Sequence, residues 1–255
     1  MFAILIRSVL TTIVSFFGFE LMVNHKNLLF WIAFFYLLFL FFITLSVIQI
    51  CRIKSNRLHY VIFPILCNLS AIIFFVFIPG KIFQQIYIII CSFLFGALLF
   101  YVGNFILGYA QAKKSLRHYT LFDIIVLSCS FLSYTALFGL YLFLSWPTWL
   151  LLLLALFMSL FLLYYYFWYN KLTHKKNLLH YFIFSLVAAE AAWAMTFWST
   201  GYLSRGVVLF ILFYLFSGFL KHHHQKTLNK KIIKEYLATS IIVLGLILGT
   251  TKWTF

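Results

Sequence analysis

Acidic residues are nearly absent from this chain: four Asp and Glu stand against 19 Lys and Arg, and only 9% of residues carry a charge. A water-facing surface draws on about 25% charged residues. The deficit excludes an ordinary soluble domain, and the sequence shows no paired carboxylates of the kind that hold magnesium for isoprenoid or polyprenyl chemistry. Cysteine is limited to Cys51, Cys67, Cys91 and Cys129, each in or at the end of an apolar stretch and none in a CxxC pair. That placement argues against a disulfide framework or a metal site and leaves the redox compartment open. No glycine-rich phosphate loop, HExxH, nucleophile elbow or retinal-type lysine in the seventh apolar stretch is present. Hydrolase and transferase mechanisms therefore have little to stand on, and no cofactor is implied.

What is abundant is apolar: 65% of residues are hydrophobic, 34 of them Phe. Only a bilayer accepts such a surface. Nine apolar stretches can be marked: Phe2 to Val23, Leu28 to Cys51, Tyr60 to Pro79, Ile86 to Ala110, Thr120 to Trp146, Trp149 to Tyr169, Leu178 to Ser199, Gly206 to Leu220 and Ile232 to Thr250. A span needs about 20 helical residues to cross roughly 30 Å of hydrocarbon. Most stretches suffice directly. The eighth reaches an adequate length, 203–221, once Leu203 and the stem of Lys221 are included. A β-barrel would alternate apolar and polar residues, whereas Leu150 to Tyr169 is apolar on every face. The first stretch lacks a small-x-small cleavage pattern and reads as retained. The expected fold is all-α, a polytopic transmembrane bundle of about nine spans forming one integral membrane domain over residues 1–255.

Orientation follows from the cations, because Lys and Arg accumulate in loops that stay in the cytoplasm. Arg52, Lys54 and Arg57 follow the second span; Lys113, Lys114 and Arg117 follow the fourth. Lys171, Lys175 and Lys176 follow the sixth; Lys221, Lys226, Lys230, Lys231 and Lys234 follow the eighth. The odd-numbered connections hold only Lys26, Lys81 and Arg205. This alternation puts the N-terminus inside and the C-terminus outside. The net charge of +15 thus obeys topology. It argues for contact with anionic lipid headgroups and not with nucleic acid, since no loop is long enough to fold into a binding module.

Among residues able to carry chemistry, Glu190 stands out because it lies near the middle of the seventh span, where a charge costs about 2.5 to 3.5 kcal/mol. It is expected to face other helices. One reading makes it a proton or cation relay or a contact for a polar substrate; the other makes it a neutral acid hydrogen-bonded to a neighbouring helix. Asn68 and Asn104, each inside an apolar span, are its candidate partners. Ser185, Ala189, Ala192 and Thr196 form a small-residue stripe along the same helix. Gly245 and Gly249 give a GxxxG spacing in the last span, predicting close helix contact within the bundle or across a homodimer, and Gly96 and Gly103 mark a similar face in the fourth. His222, His223 and His224 read as part of a basic inner collar. Consecutive helical residues diverge too far to share a metal.

The C-terminal third adds a pattern: Glu190-Ala-Ala-Trp193, then Tyr202-Leu203 before a short span ending in His222 to His224, then a basic loop and a final helix closing in Thr250-Thr-Lys-Trp253. It resembles an uncharacterised family of multi-pass membrane proteins from small-genome bacteria. The resemblance implies a bacterial cytoplasmic membrane and draws Trp193 alongside Glu190; it carries no activity with it. The reading these residues favour is an ion-coupled or small-solute transporter using Glu190; the alternative is a non-enzymatic membrane subunit binding lipid or a membrane partner, and the third is a lipid-modifying enzyme using Glu190 and His180. The orientation is directly testable. In intact cells a tag after Phe255 is expected to react with an impermeant label, and a cysteine placed beside Lys114 is expected to react only after permeabilisation; the reverse pattern inverts the topology.

Overall fold

The computed structural model describes residues 2–50, 57–106, 116–169 and 178–250. Nine α-helices occupy them: α1 Phe2–Asn24, α2 Leu29–Ile50, α3 Arg57–Val76, α4 Lys81–Ile106, α5 Leu116–Leu144, α6 Thr148–Tyr169, α7 Leu178–Thr196, α8 Tyr202–His224 and α9 Lys230–Thr250. No strand occurs among the described residues. Each helix coincides with one predicted apolar stretch. The largest shift is at α4, which begins at Lys81 and so takes Gln84 and Gln85 into its first turns. Seven of the helices are long and apolar enough by themselves to cross a membrane, and α3 adds the shorter apolar piece Val61–Val76. The chain is a multi-pass membrane protein.

Local chemistry ends the helices where the sequence changes character. Asn24 and His25 give way to a single 3-10 turn, Lys26–Leu28, before α2. Pro79 and Gly80 separate α3 from α4, with Gly80 at φ 82, a conformation closed to most side chains. Ser145 at φ 49 and Pro147 make the tight α5–α6 turn. After α8, Lys226 takes φ 54 while its N–H bonds the His223 carbonyl and the Thr227 N–H bonds that of His222. This is a Schellman stop that uses Lys where glycine is usual. Asn229 then caps α9 through Oδ1, which accepts the Ile232 N–H at 2.9 Å.

The helices gather into two compact units, Met1–Ile125 and Val126–Phe255. In the first, α1 makes its most extensive contact with α4, while α2 packs against α1 and α3. Gly96 and Gly103 on α4 are the reason that α1 comes so close. A Cβ on Gly96 would meet Thr12 Oγ1 at 1.9 Å and the Ser8 carbonyl at 3.0 Å, and one on Gly103 would meet Ile4 at 2.6 Å. The small face expected on this helix is thus a packing face. Phe19 fills the space among α1, α2, α3 and α4, with its ring 5.4 Å from Phe75, 5.8 Å from Tyr36 and 6.1 Å from Tyr87.

In the second unit α6 pairs most extensively with α7, and α8 packs against α6, α7 and α9. Phe213 on α8 sits amid Tyr134, Tyr166 and Phe184. Gly206 lets α8 approach the α5 backbone at Thr135, where a Cβ would come within 2.6 Å of Cα. Gly218 does the same for the ring of Tyr236 on α9. In both units the outward positions are large and apolar: Phe30, Phe93, Phe143 and Trp149 are all more than half exposed. Water would penalise that arrangement and lipid does not.

These approaches rank the glycines. In detergent-solubilised monomer, Gly96→Val is expected to cost about 1 to 3 kcal/mol through overpacking against α1. Gly245→Val, which meets nothing within 4 Å, is expected to stay within about 0.5 kcal/mol of the wild type. Thermal unfolding of the two variants checks this, and equal losses would contradict the packing described.

Candidate functional site

Helix α7 forms because Leu178 to Thr196 contains no breaker and is nearly apolar around its whole circumference. Hydropathy therefore leaves its rotation undecided, and side-chain size decides it instead. Tyr181, Phe184, Ser185, Ala188, Ala189 and Ala192 make the buried face. The three alanines and the serine let α7 approach its neighbours closely. The Ser185 hydroxyl satisfies itself on the Tyr181 carbonyl at 2.8 Å. Thr196 lies half-buried at the end of this row and donates to the Trp193 carbonyl at 2.7 Å.

Glu190, rotated about 100° from Ala189, falls outside that face and is exposed. This differs from the expectation that it faces other helices of its own chain. The small residues took the packed side, and the carboxylate went with the large apolar ones. Its companions on the outward side are Ile183, Leu186, Val187, Trp193 and Phe197, all exposed. Trp193 is 51% exposed and meets Phe197 edge-on at 5.2 Å. Among the described residues Glu190 has neither a hydrogen bond nor an ion pair. His180 also lies exposed on α7. Ten residues of helix put it about 15 Å from Glu190 along the axis, too far for one acid-base pair.

Asn68 is committed elsewhere. Its Nδ2 donates to the Pro64 carbonyl at 2.8 Å, which turns Oδ1 toward Tyr36 at 2.8 Å. The Tyr36 hydroxyl is also 2.7 Å from Ser15 Oγ. An amide oxygen only accepts, so the Tyr36 proton goes to Asn68 and the Ser15 hydroxyl completes the chain. This buried network ties α1, α2 and α3 together, and Gly18 makes room for it: a Cβ there would sit 2.9 Å from the Tyr36 ring. The sequence reading missed Tyr36 and Ser15, which nothing distinguishes from other polar residues in apolar runs. Tyr134 and Ser159 form a second such tie, between α5 and α6, at 2.8 Å.

The remaining candidates are dispersed. The side chain of Asn104 lies outside the described residues, as do those of Arg57 and Arg117. Arg52, Lys54, Lys113, Lys114, Lys175 and Lys176 lie outside them altogether. Lys230 and Lys231 are exposed in the first turn of α9, and Lys231 is 4.0 Å from Glu235. Gly245 and Gly249 are exposed and meet nothing within 4 Å. The close contact their spacing predicts is not made within the described chain, because α9 turns Tyr236 toward Gly218 of α8 instead. Among the described residues no three His, Cys, Asp or Glu side chains gather as metal ligands. An open cleft of about 760 Å³ lies at the α1–α2 turn, lined by Asn24, His25, Asn27, Lys81 and Gln85.

Comparison with known proteins places this arrangement in one group. A family model described as a protein of unknown function, DUF5656, matches residues 48–250. The match runs from the end of α2 through α9, well beyond the C-terminal third that carries the sequence pattern. No curated protein and no solved structure matches the chain.

Proposed function

The chain belongs to the DUF5656 family of proteins of unknown function, and from its geometry we propose that it is a non-catalytic membrane subunit that docks a second membrane protein against the outward face of α7. The observation that carries this is Glu190, a carboxylate exposed among Ile183, Leu186, Val187 and Trp193 with no partner among the described residues. Left against hydrocarbon, such a group costs about 2.5 to 3.5 kcal/mol. A partner helix carrying Arg, Lys or an amide donor at the same depth removes that penalty. A symmetric second copy of this chain would oppose carboxylate to carboxylate, so a partner of complementary charge fits better. The basic loops, set on the cytoplasmic side of a bacterial plasma membrane, fit an anchoring role against anionic headgroups.

The transporter reading drew on Glu190 facing other helices in the interior, and its exposed position withdraws that support. The enzyme reading needed Glu190 and His180 in one cavity, and their separation along α7 argues against it.

The test is site-directed photo-crosslinking in native membranes. A crosslinker at Ile183 or Trp193 is expected to give one discrete adduct, and the same group at Phe93, equally outward on α4, none. Glu190→Ala should reduce the adduct at least about tenfold, the scale of removing one partner of a desolvated charged pair. An unchanged yield in Glu190→Ala, or equal labelling from Phe93, contradicts the proposal. Proton-coupled flux through the purified protein that Glu190→Gln abolishes would reinstate the carrier reading.

A further inference from the structure

The described residues bury one arginine deeply, and it lies away from the α7 face. Arg205, in the first turns of α8, is 6% exposed. Its backbone N–H begins the helix on the Gly201 carbonyl at 3.4 Å, while its guanidinium folds back over the α7–α8 turn and Nη2 donates to the Trp198 carbonyl. Nε is buried and has no hydrogen-bond partner. No carboxylate of the described residues lies within ion-pair distance. A guanidinium keeps its charge under all ordinary conditions, and a buried cation without a counter-ion is costly.

The groups around it share one demand. The Trp198 carbonyl also accepts the Thr200 N–H at 2.8 Å, so Thr200 and the guanidinium converge on a single oxygen. The Thr200 hydroxyl, in a residue 7% exposed, is likewise buried without a hydrogen bond. Between Thr200 and the helix stands Gly201, which provides no side-chain cap for α8 and on which a Cβ would meet nothing within 4 Å. An unpaired Nε–H and an unpaired hydroxyl, both buried, thus lie in the turn that leads into the positive end of a 23-residue helix, beside its exposed N-cap Gly201.

We propose that the α7–α8 turn is a binding site for a phosphate-class oxyanion, held by Arg205 Nε, the Thr200 hydroxyl and the start of α8. A tetrahedral oxyanion presents several acceptors in different directions, which suits donors arriving from a side chain, a loop and a helix end. A guanidinium matches phosphate in particular. At the end of a membrane span, that chemistry is offered by a phospholipid headgroup or by a soluble phosphate or phosphorylated solute. In the sequence Arg205 is only one of the few cations in the odd-numbered connections, a placement that carries no sign of its burial.

The experiment is thermal unfolding of the purified full chain in detergent, titrated separately with inorganic phosphate and with short-chain phosphatidylglycerol, each against sodium chloride at matched ionic strength. A ligand that binds only the folded state raises the midpoint in a saturable way. The wild type is expected to show such a rise with at least one probe. A rise with inorganic phosphate identifies a soluble ligand, and a rise with the lipid alone identifies a headgroup. Arg205→Gln keeps an amide to bond the Trp198 carbonyl and removes the charge, so it is expected to weaken the response at least about tenfold. Thr200→Val preserves bulk and is expected to weaken it several-fold, which keeps the test decisive should Arg205→Gln fold poorly. No saturable rise in the wild type with either probe, or wild-type affinity in Thr200→Val and in any folded Arg205→Gln, overturns the site.

Discussion

Within hydrocarbon a polar group finds no water, so its partner must come from protein. Many of the polar side chains in the two units are placed by that demand. Ser8, Thr11, Ser185 and Ser240 return their hydroxyls to the carbonyl one turn back. Tyr36, Ser15 and Asn68 satisfy one another across three helices. Arg7, half-buried on α1, donates to the Ser46 carbonyl near the C-terminal end of α2, where a cation also meets the negative pole of the helix. Pro64 removes one helical donor from α3, and its own carbonyl serves as the acceptor for Asn68.

Against that background the unmatched groups become informative. Among the described residues Glu190 points outward with no partner, and the guanidinium of Arg205 lies inside with one hydrogen bond and no counter-charge. Glu190 lies on the exposed side of α7 and Arg205 in the first turns of α8. The buried face of α7 is filled by Ala188, Ala189 and Ala192, whose small size sets the distance to α6. A glutamate in that row would hold the helices apart. On α7 the packed side goes to alanine and the carboxylate lies on the exposed side.

How far the sequence carried this follows from which constraints are local. Helix number and limits were legible because the bilayer imposes a length and an apolar composition on each span, and the breakers at Pro79, Gly80 and Pro147 stand where those runs end. Gly96 and Gly103 were legible as a packing face because seven residues return to one side of a helix. Gly18, Gly206 and Gly218 were not, since each is explained by a partner distant in sequence: Tyr36, Thr135 and Tyr236. The same holds for Gly245 and Gly249, where a correct spacing met an unused face. The rotation of α7 was illegible because a helix apolar on all sides carries no amphipathic signal. Arg205 was read by its side of the membrane, which says nothing of burial.

The central claim is that the chain does not cover its own Glu190. A nitroxide attached through Glu190→Cys in the purified protein, reconstituted alone into bilayers, measures this by its collision rates with oxygen and with a water-soluble paramagnet. High oxygen and low water-phase accessibility are expected, close to a label at Phe93 on the outside of α4. A label at position 190 that is immobile and shielded from both reagents, as one at Ala188 should be, would show that the chain buries this position itself.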